Sequence, residues 1–238
     1  MKRIGLLGGM SWESSALYYR LINEGVRDRL GGLHSADCVM VSVDFAAVER
    51  LQASGDWDGA GRLLADEARA LVRAGAEVVV LCTNTMHRVA EHIEDAVDVP
   101  LLHLVDVTAL AIRRARLTRV ALLGTRFTMG EGFYRERMAR HGIETLVPDA
   151  AGQALVDRVI YEELVRGEVR EASRQEYRRI VAALAADGAE GVILGCTEIE
   201  LLIGESDSPV PVFASTALHA GAAVDAALEV DAAPAAPA

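Results

Sequence analysis

Two segments of this 238-residue chain end an apolar run in side chains able to move a proton. "GAEVVVLCTNT" (75–85) sets Cys82 and Thr83 ahead of Asn84 and Thr85, and "GAEGVILGCTE" (188–198) sets Cys196 ahead of Thr197 and Glu198. A thiolate is a competent general base and its thiol a general acid, whereas a threonine hydroxyl is too weak an acid to furnish a resting alkoxide. Laid over each other without gaps, at an offset of 113, the segments share Gly, Ala, Glu, Val and Leu. Cys196 then falls opposite Thr83, and Cys82 opposite Gly195. Successive side chains of a strand point to opposite faces, so Cys82 and Thr83 cannot both look into one cleft. If Cys196 faces a cleft, Thr83 does too, and Cys82 turns toward a helix layer. A cysteine at a strand end before a helix is also expected to have a lowered pKa, because helix N-termini favour the thiolate.

Each of these residues has an ordinary reading as well. Asn84, Thr85, Thr197 and Glu198 stand where helix caps stand, and a single cysteine is most often a small buried hydrophobe. Cys38, mid-strand between Ala36 and Met40, fits that description. What raises Cys196 and Thr83 above it is the paired occurrence. His87 and His92 lie five apart rather than four, which does not put two metal ligands on one helical face. His34, His103 and His219 read as surface or second-layer residues. "GLLGGM" lacks the G-x-G-x-x-G order, so with Asp44 it makes no dinucleotide site.

The elements that must hold these residues alternate. "RIGLL" (3–7) is a strand, followed by a glycine turn and the helix "SWESSALYYRLINEGVRDRL"; "ADCVMVSVDF" (36–45) is a second strand. The helix "WDGAGRLLADEARALVRAG" closes on Gly75 as a C′ glycine, "EVVVLC" is a third strand, and the helix "TMHRVAEHIEDAV" follows. "PLLHLV" is a fourth strand, leading into "DVTALAIRRARL". The pattern then begins again: "TRVALLGT" (118–125) echoes "KRIGLLGG" (2–9), and "VPVFA" (210–214) echoes "VPLLH" (99–103). Three echoes in one order indicate a duplicated α/β unit. The expected fold is therefore two similar α/β lobes, each a parallel sheet flanked by helices, related by a pseudo-twofold axis with the active site between them. The first lobe would comprise 1–104 plus 208–230 and the second 105–207, with the small-residue, proline-rich tail 231–238 disordered. In parallel sheets ligands gather beyond the C-terminal ends of the strands, which nominates "GGMSWESS", "CTNT", "GTRFT" and "GCTE".

Composition excludes several classes. Against 35 Asp and Glu there are 24 Lys and Arg, a formal charge of -11, which opposes the basic surface that nucleic-acid binding needs. No stretch approaches the ~20 apolar residues of a membrane helix, and "MKRIGLLGG" breaks at glycines before a secretory core could form, so a cytoplasmic location is expected. Three cysteines, odd in number and far apart, make neither a disulfide framework nor a zinc site.

The residues assembled above resemble the aspartate/glutamate racemase family, in its cofactor-independent amino-acid racemase branch. "LGCTEIELL" (194–202) is a specific signature, supported by "GLLGGMSWES", "LCTNTMH" and "LLGTRFT", and the likeness spans about residues 1–229. It implies an isomerase that needs neither pyridoxal phosphate nor metal. A thiolate on one lobe takes the α-proton of an acidic amino acid, and a thiol on the other returns one to the opposite face. Carried over by position, Cys196 is the second-lobe acid/base, while Thr83 stands where the family usually has its first cysteine. Met10, Gln52, Asn84, Thr85, Thr125, Thr128 and Thr197 are implied to hold the substrate, and Arg50 or Gln52 its side-chain carboxylate. In "IYEEL" a basic residue found in some members is absent beside Glu163. The implied protein is a homodimer acting on aspartate or glutamate, biased toward one enantiomer, with no nucleic-acid or membrane partner. The threonine leaves two other outcomes open: a single-cysteine decarboxylase or isomerase of a related dicarboxylate, and a non-catalytic dicarboxylate-binding protein.

Overall fold

A computed structural model describes residues 1–229; the tail expected over 231–238 lies outside the described residues. The described chain divides into two compact units, residues 1–103 with 219–229, and Leu104–Leu218. In the first unit the elements run β1 (Ile4–Gly8), α1 (Trp12–Leu30), β2 (Cys38–Ser42), α2 (Phe45–Ser54), α3 (Trp57–Arg73), β3 (Val78–Leu81), a 3-10 turn (Thr85–Val89), α4 (Ala90–Glu94) and β4 (Leu101–Leu102). The second has α5 (Leu104–Arg114), β5 (Arg119–Gly124), α6 (Arg126–Gly130), α7 (Gly132–Arg140), β6 (Glu144–Leu146), α8 (Ala150–Glu162), a 3-10 turn (Leu164–Arg166), α9 (Glu171–Ala186), β7 (Val192–Gly195), α10 (Ile199–Leu202), a further 3-10 turn (Glu205–Asp207) and β8 (Val212–Ala214). The unit boundary falls within α11 (Ser215–Leu228).

Each unit carries one four-stranded parallel sheet, ordered β2-β1-β3-β4 in the first and β6-β5-β7-β8 in the second. The strand registers reproduce the sequence echoes. Val79 pairs with Gly5 and Leu101, and its counterpart Val192 pairs with Ala121 and Val212. The central strands β1, β3 and β7 are buried along their whole length, as expected of parallel strands covered on both faces. In the first unit Leu7, Val79 and Leu81 pack on one side with Leu64, Ala68 and Ile93. Ile4, Leu6, Val78 and Val80 pack on the other with Tyr18, Ile22 and Val224. The second unit repeats this two-sided arrangement.

The repeated "GAE" has a structural reason. Gly75 and Gly188 hold left-handed φ of 93° and 98° just past their helices. The following glutamates reach the first strand of their own sheet, Glu77 Oε1 accepting from Arg3 N–H at 2.9 Å and Glu190 Oε2 from Arg119 N–H at 3.1 Å.

Three expectations are corrected. The sequence echo places the strand of "VPVFA", with 208–230, in the first lobe, but β8 pairs with β7, whose edge it satisfies as β4 does for β3, so 208–218 belong to the second unit. "TMHRVAEHIEDAV" is not one helix but a 3-10 turn and the single short α4. The second strand ends at Ser42, because Asp44 caps α2 by accepting from Ala46 N–H, and "VERLQ" is helical. Among the described residues, no helix is long and apolar enough to cross a membrane.

Candidate active site

At the end of β3 the two neighbouring candidates part company. Cys82 is fully buried among Tyr18, Ile22 and Val80, its S–H directed at Val80 O at 3.6 Å, and burial pushes its thiol far above the usual range. Thr83 is only partly buried. The alternation argument thus assigns the accessible side chain to the hydroxyl and the inert one to the sulfur. The segment after Thr83 is tightened by His87, whose Nδ1 lies 2.7 Å from Thr83 O. A carbonyl only accepts, so Nδ1 carries the proton and the tautomer is set. His87 packs in turn against His103 (ring centroids 4.6 Å apart) and His219 (5.7 Å).

Of the two readings for His103 and His219, surface or second layer, burial excludes the first: both are buried, and His219 is held between Tyr18 Oη at 2.9 Å and Leu102 O at 2.8 Å. The role of His87 was legible only as a polar residue four places beyond Thr83 at the start of a turn. Asn84 and Thr85 are buried beside it, and the Asn84 side chain makes no cap hydrogen bond. Met10 and Met86 share one apolar cluster, and the buried Gln52 amide lies 3.1 Å from Met86 Sδ. Gln52 and Val48 line the inner face of α2. Arg50, half a turn away, is exposed and is not brought to this group.

In the second unit Cys196 directly follows β7 and is partly buried. Its S–H donates to Glu198 Oε2 at 2.9 Å. The Glu198 side chain makes no helix-cap hydrogen bond, against the expectation of a cap, and accepts from the thiol. The expected lowering of the thiol pKa is reversed. Burial, and then the negative charge of Glu198, push Cys196 well above its ordinary value. The following α10 is only four residues long, too short for a helix N-terminus to offset them. The resting side chain is thus a protonated thiol whose hydrogen is directed at a carboxylate.

Thr125 and Thr128 form a pair in which Thr125 Oγ1 accepts from Thr128 N–H at 3.3 Å and lies 3.2 Å from Thr128 Oγ1. Thr128 is fully buried. Thr197 is buried, with Thr216 donating to its hydroxyl at 3.3 Å. Glu163 accepts from Ser173 at 2.6 Å and lies 3.6 Å from Arg170. Among the described residues, no group of three His, Cys, Asp or Glu side chains is arranged to hold a metal ion.

Residues 7–223 match the model of the Asp/Glu/hydantoin racemase family. The chain belongs to that family. A proposed Asp/Glu racemase from Yersinia pestis superposes with a TM-score of 0.91 at 54% identity, over 96% of this chain and 100% of that one. An aspartate racemase homologue from Pyrococcus horikoshii superposes at 0.85 with 33% identity, over 95% and 99%. A broad specificity amino-acid racemase of Bacillus subtilis is 23% identical over 93% of this chain and 96% of its own. The two-unit α/β racemase fold is accordingly that of this member of the family, and its membership makes it an isomerase.

Proposed function

We propose that this family member is a pyridoxal-independent racemase of aspartate or glutamate, with Cys196 as principal acid/base and Thr83 serving the other face of the substrate. The observation that carries the reading is the Cys196–Glu198 contact at 2.9 Å, on the strand end whose counterpart presents Thr83. In one direction Glu198 takes the thiol proton, and the thiolate removes the α-hydrogen. The carbanion, delocalised into the α-carboxylate, is then protonated from the opposite face by Thr83 or a water that it holds, and the proton left on Glu198 is released to solvent as solvent reprotonates the alkoxide or hydroxide formed there. In the other direction the proton is removed on the Thr83 side and the Cys196 thiol delivers the new one. A resting thiol is well suited to delivery and a hydroxyl poorly suited to abstraction, so the two directions differ in rate. N–H and hydroxyl donors from Asn84, Thr85, Thr125 and Thr197 hold the carboxylate on which charge develops. Gln52 takes the side-chain end; Arg50, exposed, is the weaker candidate. A homodimer working in the cytoplasm belongs to the same reading.

Each enantiomer of aspartate and glutamate, incubated in deuterated buffer, is expected to exchange its α-hydrogen and lose optical activity at unequal initial rates. No exchange from any of the four would overturn the assignment. Because the first position is a hydroxyl rather than a thiol, one-sided proton delivery is a second reading. Carbon dioxide released from a disubstituted malonate would favour that decarboxylase instead.

A further inference from the structure

We propose that Glu200 and Thr216 are positioning residues for the thiol site: they hold the Cys196–Glu198 segment against the first turn of α11, and the Glu200 carboxylate acts electrostatically on the thiol. This rests on the racemase reading for its catalytic consequence, though not for its geometry.

Three hydrogen bonds tie the start of α11 to the end of β7 and the segment beyond it. Ser215 Oγ donates to Leu194 O at 2.7 Å, Thr216 N–H donates to Glu200 Oε1 at 3.1 Å, and the Thr216 hydroxyl donates to Thr197 Oγ1 at 3.3 Å. Ser215 and Thr216 are fully buried, so these donors are satisfied within the protein, and a carboxylate at the first turn also meets the positive end of the helix. By accepting from Thr216, the Thr197 hydroxyl keeps its own proton for another acceptor, as a carboxylate ligand requires.

Glu200 is partly buried. Burial raises it to about 7, against the lowering by the Thr216 N–H, and Glu198 raises it further. It ionises as pH rises through that value and then adds negative charge near Cys196, whose thiol it pushes up in addition to burial and Glu198. The titratable groups facing it on its own segment are Cys196 and Glu198. The strands β7 and β8 and residues 215–218 of α11 bring none. The Leu164–Arg166 turn brings Arg166, which is exposed, and the preceding Glu163 is engaged by Ser173 and Arg170.

Glu200→Gln keeps an acceptor for the Thr216 N–H and removes the charge. The test is iodoacetamide alkylation of Cys196 against pH, resolved by peptide mass spectrometry, in the intact protein and in Glu200→Gln. The variant is expected to alkylate at lower pH, about threefold faster at pH 8, with its melting temperature retained. The rising limb of kcat/KM for α-proton exchange should move the same way. Thr216→Val should raise KM about tenfold with little change in kcat, and Thr216→Ser should restore it. An unmoved alkylation profile in a folded Glu200→Gln overturns the proposal. If that variant does not fold, the wild-type protein decides. Carboxymethylation of Cys196 adds a charge that carbamidomethylation does not, and must raise the Glu200 midpoint seen by carbon-13 NMR; equal midpoints overturn the coupling. Exchange absent from the wild-type protein would sink the racemase reading alone, because the alkylation profile needs no turnover.

Discussion

The S–H of Cys196 donates to Glu198 at 2.9 Å, in a setting where burial and charge both oppose the thiolate. On the proposed mechanism its reactivity depends on a partner able to take the proton, which defines what each substitution should do. Cys196→Ala should abolish α-proton exchange from both enantiomers, a loss of at least about a thousandfold. Glu198→Gln still accepts the S–H but cannot take its proton, so kcat should fall about a hundredfold, measured as initial exchange rate. Thr83→Ala should impair chiefly one direction, and Thr83→Cys should bring the two directions closer together, both read by polarimetry from each enantiomer. Cys82→Ala, by contrast, should leave the ratio of the two directions unchanged, because its sulfur is buried on the opposite face of the strand.

At the scale of elements, the duplicated turn before the third strand of each sheet anchors β3 and β7 in the same way. Gly75 and Gly188 take φ of 93° and 98°, and the glutamate two places on anchors β3 or β7 to the first strand of its sheet. A Cβ at either glycine would meet the end of a flexible arginine, Arg3 or Arg119, which can move aside. The cost of substitution is then mainly backbone strain. Gly75→Ala and Gly188→Ala should each destabilise by about 1–2 kcal/mol in denaturant titration, and by similar amounts, because the turn is the same device used twice. Gly9 is a harsher case. Its φ is 94°, and a Cβ would meet Val43 O at 2.2 Å, backbone that cannot step aside. Gly9→Ala should displace the loop that carries Met10 and lower the melting temperature more than either of the others.

For the molecule as a whole, acid sensitivity should have an identifiable source in His219. It is fully buried, and burial lowers it to about 4 despite its hydrogen bond to Leu102 O. The folded value lies below the unfolded value of about 6.5, so the unfolded chain binds the proton first. This contribution is complete above about 6.5, is lost as pH falls from there toward 4, and levels off below. The loss should reach about 3 kcal/mol, seen as a falling midpoint in denaturant titrations. In His219→Gln the slope over that window should flatten, with the protein less stable at pH 7 because Tyr18 Oη loses its ring partner.

The sequence by itself determined the duplicated α/β architecture, since apolar runs of strand length recur with the same flanking glycines and glutamates. It also determined that Cys82 and Thr83 point apart, since alternation along a strand is a local rule that no distant contact revises. Strand pairing and burial are long-range, and only the tertiary structure decided them. It moved β8 to the second sheet, turned Arg50 to the solvent face of α2 and enclosed Thr128, His103 and His219. It also reversed the expected shift of Cys196. A thiol responds to whatever surrounds it, and here burial and the Glu198 carboxylate outweigh one turn of helix.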